Sequence, residues 1–139
     1  MARADIYSPN YKKDERYSDF LLSFNKNPST GNLGRVINEQ SVKQALTTLI
    51  LTSKGERFYN PNIGSKVKSS LFDPADAMTA QTIRESITES ITYYEPRVNL
   101  ISVEIADDPD NDRYKINIFF NLINIPDVLQ LDLILKRVR

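Results

Sequence analysis

The chain contains no cysteine and no histidine. The first absence removes disulfides, thiol catalysis and cysteine-rich zinc sites, and makes a disulfide-rich extracellular scaffold a poor fit. The second removes Ser-His-Asp and Cys-His catalysis and the usual zinc constellations. An enzyme built on this sequence has only carboxylate, lysine, tyrosine or serine chemistry left. An excess of either charge is also lacking, since 18 Lys and Arg balance 18 Asp and Glu. Overall charge therefore argues for neither nucleic acid nor an anionic membrane as a partner. Long apolar runs are missing too: none approaches the roughly 20 residues needed to cross a bilayer. The N-terminal stretch MARADIYSPNYKK has no signal-peptide core. The expected place of synthesis is the cytosol, with exit only by lysis or inside a larger particle.

What is present suits one domain. A chain of 139 residues with 40% hydrophobic content is not disordered. It can bury about 70% of the surface its unfolded form exposes. Residues 1–19 are polar, with Ser8-Pro9-Asn10 and a charged run over 12–16. They form an N-terminal arm, either frayed or ordered against a neighbour. Residues 20–139 are the domain proper.

Within the domain, residues 20–24 (FLLSF) and 35–37 are short strand candidates around a turn-rich stretch. Residues 39–53 read as a helix, with Val42, Ala45, Leu46, Leu49 and Ile50 on one stripe and Gly55 as the stop. Residues 55–72 form an ordered loop with one helical turn near its end, and its two glycines lack phosphate-loop spacing. A second helix is predicted from Asp73 as N-cap and Pro74 as first residue, with Asp76 adding favourable charge. Its stripe is Ala80, Ile83, Ile87, Ile91 and Tyr94. Three strands follow: 98–106, 114–123 and 128–139. They are separated by the turns DDPDND (107–112) and Asn124-Ile125-Pro126-Asp127. In the first strand Leu100 is out of phase with Ile101, Val103 and Ile105. The predicted class is α+β, with two main helices packed on a small antiparallel sheet that ends in a three-stranded meander.

The corner YYEPRV carries the most information. Pro96 ends the helix near Tyr94. If residues 95–97 are extended, Glu95 and Arg97 point to one side and present a carboxylate and a guanidinium together. Other candidates are weaker. Asp108, Asp110 and Asp112 alternate like a calcium loop, but Arg113 stands where that loop needs glycine and no glutamate follows at the twelfth position. Glu56, Glu95 and Asp76 could supply paired carboxylates for glycoside hydrolysis, yet nothing points to a cleft. The basic end Lys136-Arg137-Val138-Arg139 is short and has no interleaved aromatics, which disfavours nucleic acid. The last strand puts Leu129, Leu131, Leu133 and Leu135 on one face. As a terminal edge strand it is open to addition of a partner strand. Alternatively the arm or residues 20–24 cover it.

These residues, taken in order, resemble the gene-25-like baseplate wedge proteins of contractile phage tails. The resemblance rests on Glu95-Pro96-Arg97, on Lys54-Gly55-Glu56-Arg57, on Gly64 followed by Leu71-Phe72, and on the turn at 124–127. It spans about residues 17–139. It implies a structural, non-enzymatic subunit of the virion tail baseplate, present in six copies, assembled in the host cytoplasm and needing no cofactor or metal. Glu95, Pro96 and Arg97 would dock on the helical bundle of larger wedge proteins. The strand with Leu129, Leu131, Leu133 and Leu135 would exchange strands with the tail-sheath protein and template its first ring. Tube or hub proteins are further neighbours. Structural roles are expected for Gly55, Arg57, Gly64, Leu71 and Phe72. A type VI secretion baseplate subunit is the alternative within the same family. The lysozyme label once given to some members finds no support in these residues.

Overall fold

The computed structural model describes residues 16–123 and 125–137, and two helices laid over one face of a three-stranded sheet set its architecture. The N-terminal arm over 1–15, Asn124 and the last two residues of the basic end lie outside the described residues. Strand β1 (Ser18–Phe20) pairs antiparallel with β2 (Arg35–Ile37). Helix α1 (Asn38–Leu51) follows directly, then the single turn α2 (Val67–Ser70) and the long helix α3 (Ala77–Tyr94). Strands β3 (Val98–Asp108), β4 (Arg113–Leu122) and β5 (Val128–Lys136) form an antiparallel meander in the order β3-β4-β5.

The core lies between helices and sheet. Ile83, Ile87 and Ile91 of α3 are fully buried, as are Val42, Leu46 and Ile50 of α1. Against them stand Tyr114, Ile116, Ile118, Phe120 and Leu122, alternate residues of the central strand. Each such aliphatic side chain stabilises the fold by about 1.5–3 kcal/mol through removal from water. The strand pattern of β4 matches its sequence alternation residue by residue. On β3, a bulge falls between Leu100 and Ser102. It leaves Ile101 about half exposed and turns Leu100 toward the core, reversing the expected phase.

Three expectations need correction. The first strand is Ser18–Phe20 rather than 20–24, because Phe24 takes a φ of +50° and the chain turns there. It pairs with β2, so residues 20–24 do not cover β5. The cap of α3 is Asp76, not Asp73: the Asp76 carboxylate accepts the Thr79 N–H at 2.7 Å, while the Asp73 N–H closes the α2 turn on Ser70. The buried face of α3 also differs from the predicted stripe, running through Thr79, Ser86 and Ser90 while Ala80 and Tyr94 are only half-buried. The Ser86 hydroxyl accepts the Lys66 N–H, and Ser90 reaches the Gly64 carbonyl at 2.9 Å. These serines pin the 52–66 crossing to α3 where apolar residues could not bond its backbone.

That crossing depends on Gly64. Its φ is +130°, and a Cβ there would sit 2.5 Å from the Thr52 carbonyl oxygen. Gly55 has a φ of +91° but open space around it. Gly64 therefore answers both close approach and backbone handedness, and Gly55 handedness alone. Gly64→Ala is expected to cost about 3 kcal/mol and Gly55→Ala about 1 kcal/mol in urea unfolding. Equal losses would contradict the steric assignment.

Candidate docking site

Glu95 closes α3 with its N–H still bonded to Ile91. Pro96 cannot continue the helix, and the Val98 N–H folds back onto the Glu95 carbonyl at 3.2 Å. The corner is thus a turn, not an extended segment. It nevertheless brings the two charged side chains together. Arg97 Nε donates to Glu95 Oε1 at 2.6 Å and Nη2 donates to Oε2 at 2.7 Å, a fork-to-fork pair. The Glu95 side chain is 9% exposed and that of Arg97 34%. The Arg97 guanidinium also lies over the Tyr17 ring, 5.5 Å from its centroid. The bond to Glu95 pushes the Arg97 pKa up despite partial burial, so its charge is permanent. Nη1 has no acceptor among the described residues and carries two N–H donors.

Neighbouring segments converge on this pair. The Arg97 carbonyl accepts the Ile123 N–H from the end of β4, and the Tyr94 hydroxyl donates to Asn62 in the loop after α1. Beside it runs an apolar groove of about 390 Å³. Phe20, Leu22 and Phe24 form one wall, Ala45, Thr48 and Leu49 of α1 the other, with Tyr94, Glu95 and Arg57 also lining it. Gln44 fixes the first wall by accepting the Leu22 N–H and donating to the Phe20 carbonyl. Phe20, Leu22 and Phe24 are each more than half exposed. This wall was not legible as a surface, because a mostly apolar run such as FLLSF reads as a buried strand. Its position next to turn residues was the signal that could have exposed it.

The other predicted residues sit elsewhere. Leu135 is buried, and Leu129, Leu131 and Leu133 are partly buried against the core. What β5 offers is its free edge and an outer face with Val128 and Ile134, each 62% exposed. Over its nine residues it pairs with β4 without a bulge, and among the described residues no other strand joins it. The opposite edge, β3, is broken by its bulge, and Arg84 of α3 donates to its Val103 carbonyl at 3.1 Å. Leu71 is buried, whereas Arg57 and Phe72 are exposed and have no place in the core.

Glu56, Asp76, Glu95 and Asp108, weighed as catalytic or metal-binding candidates, are engaged in local contacts. Glu56 accepts the Ser53 N–H at 2.8 Å and faces Lys68, and both hold its pKa below the usual range. The Thr79 N–H does the same for Asp76. A glycosidase acid needs its pKa raised, the opposite direction. Glu95 is bound on both oxygens by Arg97. In the hairpin, the Asp108 carboxylate pairs with Arg113 and Lys115 and accepts from the Asn111 amide. Among the described residues no group of three or more metal-ligating side chains occurs, and no helix is long and apolar enough to cross a membrane.

A bidentate charged corner and, among the described residues, a straight unpaired sheet edge are features that suit a subunit of an assembly. The chain belongs to the family described as baseplate wedge protein gp25, whose model matches residues 37–126. It is 28% identical over 99 residues to the baseplate wedge protein gp25 of Enterobacteria phage T4, covering 71% of this chain and 75% of that one. It is similar to a chain of the anti-feeding prophage baseplate, solved with six-fold symmetry, at 28% identity and a TM-score of 0.69 over 80% of this chain and 89% of that chain. A putative tail lysozyme from Geobacter sulfurreducens shares the fold at 20% identity, with a TM-score of 0.67 over 73% of this chain and 92% of that one.

Removing Arg97 leaves a buried carboxylate without its counter-charge. Arg97→Ala is expected to lower unfolding free energy by about 2 kcal/mol, a value reduced by the partial exposure of the pair. Adding Glu95→Gln should recover part of that loss in the same urea titration. A neutral Arg97→Ala would show that the pair does not support the corner.

Proposed function

We propose that this chain is a non-enzymatic structural subunit of a contractile-tail baseplate wedge, which docks through the Glu95-Pro96-Arg97 corner and starts the tail sheath through β5. The observation that carries the docking is the fork of Glu95 and Arg97. Glu95 holds the guanidinium in one orientation, so its free Nη1 donors are aimed before any partner arrives. Preorganisation of this kind lowers the ordering cost of binding. The partner is the helical bundle of larger wedge proteins. Its carboxylate or carbonyl oxygens meet Arg97, and apolar side chains enter the groove beside the corner.

Sheath initiation is supported by the asymmetry of the two sheet edges. A straight, unpaired edge of nine residues can accept a strand from a neighbouring protein, whereas the bulged β3 edge is poorly suited to do so. Leu129, Leu131, Leu133 and Leu135 contribute by fixing register. A one-residue slip would turn all four out of the core. Six copies around the tail axis fit the six-fold symmetry of the related anti-feeding prophage baseplate. The site of action is the virion baseplate, reached by assembly in the host cytoplasm. No cofactor is required.

The absence of native cysteine makes single introduced thiols unambiguous reporters. Asn99→Cys, exposed two residues beyond the corner, is expected to cross-link to a wedge protein in assembled particles. Ile134→Cys on β5 is expected to cross-link to sheath. Cross-links of neither kind, from particles that contain the chain, would contradict this assignment.

A further inference from the structure

The most exposed large apolar side chains among the described residues belong to the loop after α1. Phe58 is 99% exposed and Tyr59 97%. The backbone beneath them is braced at several points. The Gly55 N–H donates to the Pro61 carbonyl at 2.6 Å, and the Ile63 N–H to Asn60 at 3.2 Å. Tyr94 holds the Asn62 carbonyl, and Glu56 holds the Ser53 N–H. Two rings in water on a braced loop contribute nothing to the core, yet their presentation is fixed. Arg57 beside them has no carboxylate within salt-bridge distance among the described residues, since Glu56 faces Lys68. Aromatic and arginine side chains are the types enriched at the centres of protein interfaces. Buried together, two such rings would remove about 300–500 Å² from water. One partner contributes about 800 Å² to a standard interface, so the rings could supply much of its centre.

We infer that Arg57, Phe58 and Tyr59 form a second anchor, in which the two rings enter an apolar pocket on another subunit of the assembly and carboxylates at its rim meet Arg57. This rests on the docking role proposed above and extends it from the groove, which Arg57 also lines, to the two rings on the loop beyond it. The charge of Arg57 selects an acidic rim. The groove of a second copy, lined by Asp19 and Glu95 as well as Arg57, is the competing occupant, and self-association separates it from the partner named here.

The test uses the full chain with the wedge and sheath subunits of the same particle, comparing wild type, Phe58→Ala/Tyr59→Ala and Arg57→Glu. The expected result is a loss of affinity of about 30-fold or more for the double variant, on the scale of interface hot spots, with an unchanged urea midpoint. Arg57→Glu should weaken binding and steepen no unfolding transition, whereas Arg57→Lys should retain part of the affinity. If wild type joins the assembly and the double variant joins it equally well, the anchor is overturned while docking stands. If wild type joins no subunit, both fall. If analytical ultracentrifugation shows wild type self-associating and the double variant monomeric, the occupant is a second copy and the partner named here is wrong.

Discussion

The bidentate pair between Glu95 and Arg97 is the constraint on which the geometry of this domain turns. It sits where α3 stops and β3 starts, and the chain reverses there around Pro96. Through the Arg97 carbonyl it is tied to the end of β4, and through the guanidinium face to Tyr17 just ahead of β1. A carboxylate this buried requires its partner, because an unpaired charge out of water is far costlier than a paired one. The pair is therefore structural first. The proposed docking role draws on the same geometry, since the arginine donors that Glu95 does not use are held in place without further ordering.

A second constraint divides the sheet into unlike edges. The bulge at Ile101 and the bond from Arg84 occupy β3, while β5 runs straight with leucines locking its register from the core side. An open edge of this length is an aggregation hazard for a protein meant to stay alone. In the role proposed for this chain the same edge serves as a template. The groove walled by Phe20, Leu22 and Phe24 follows the same logic: apolar surface is displayed next to the charged corner, not folded away.

Much of this was legible in the sequence. The period-two alternation of β4, the isoleucine stripe of α3 and the proline stop at residue 96 each had one physical solution. The sharp errors came where several solutions compete. Asp73 and Asp76 are both plausible caps, and only the Thr79 N–H decides between them. An apolar run such as 20–24 does not reveal whether it is covered. The phase shift at Leu100 was visible, but a bulge reverses which neighbour faces inward. Glu95 and Arg97 were expected to act together toward a partner. That they bond each other across a turn could not be read from a spacing of two, which does not say whether the chain runs extended through Pro96 or folds the Val98 N–H back onto the Glu95 carbonyl. The separate demands on Gly55 and Gly64 were likewise invisible, since a glycine's letter does not say whether handedness or space requires it.

The central claim is that the corner faces one partner and the β5 edge another. The most direct measurement is a cryo-electron microscopy reconstruction of baseplates assembled from this chain with its wedge and sheath proteins. The account predicts density of a wedge helix against Arg97 and a sheath strand hydrogen-bonded along residues 128–136. A reconstruction in which residues 95–97 and the β5 edge both face solvent would contradict it.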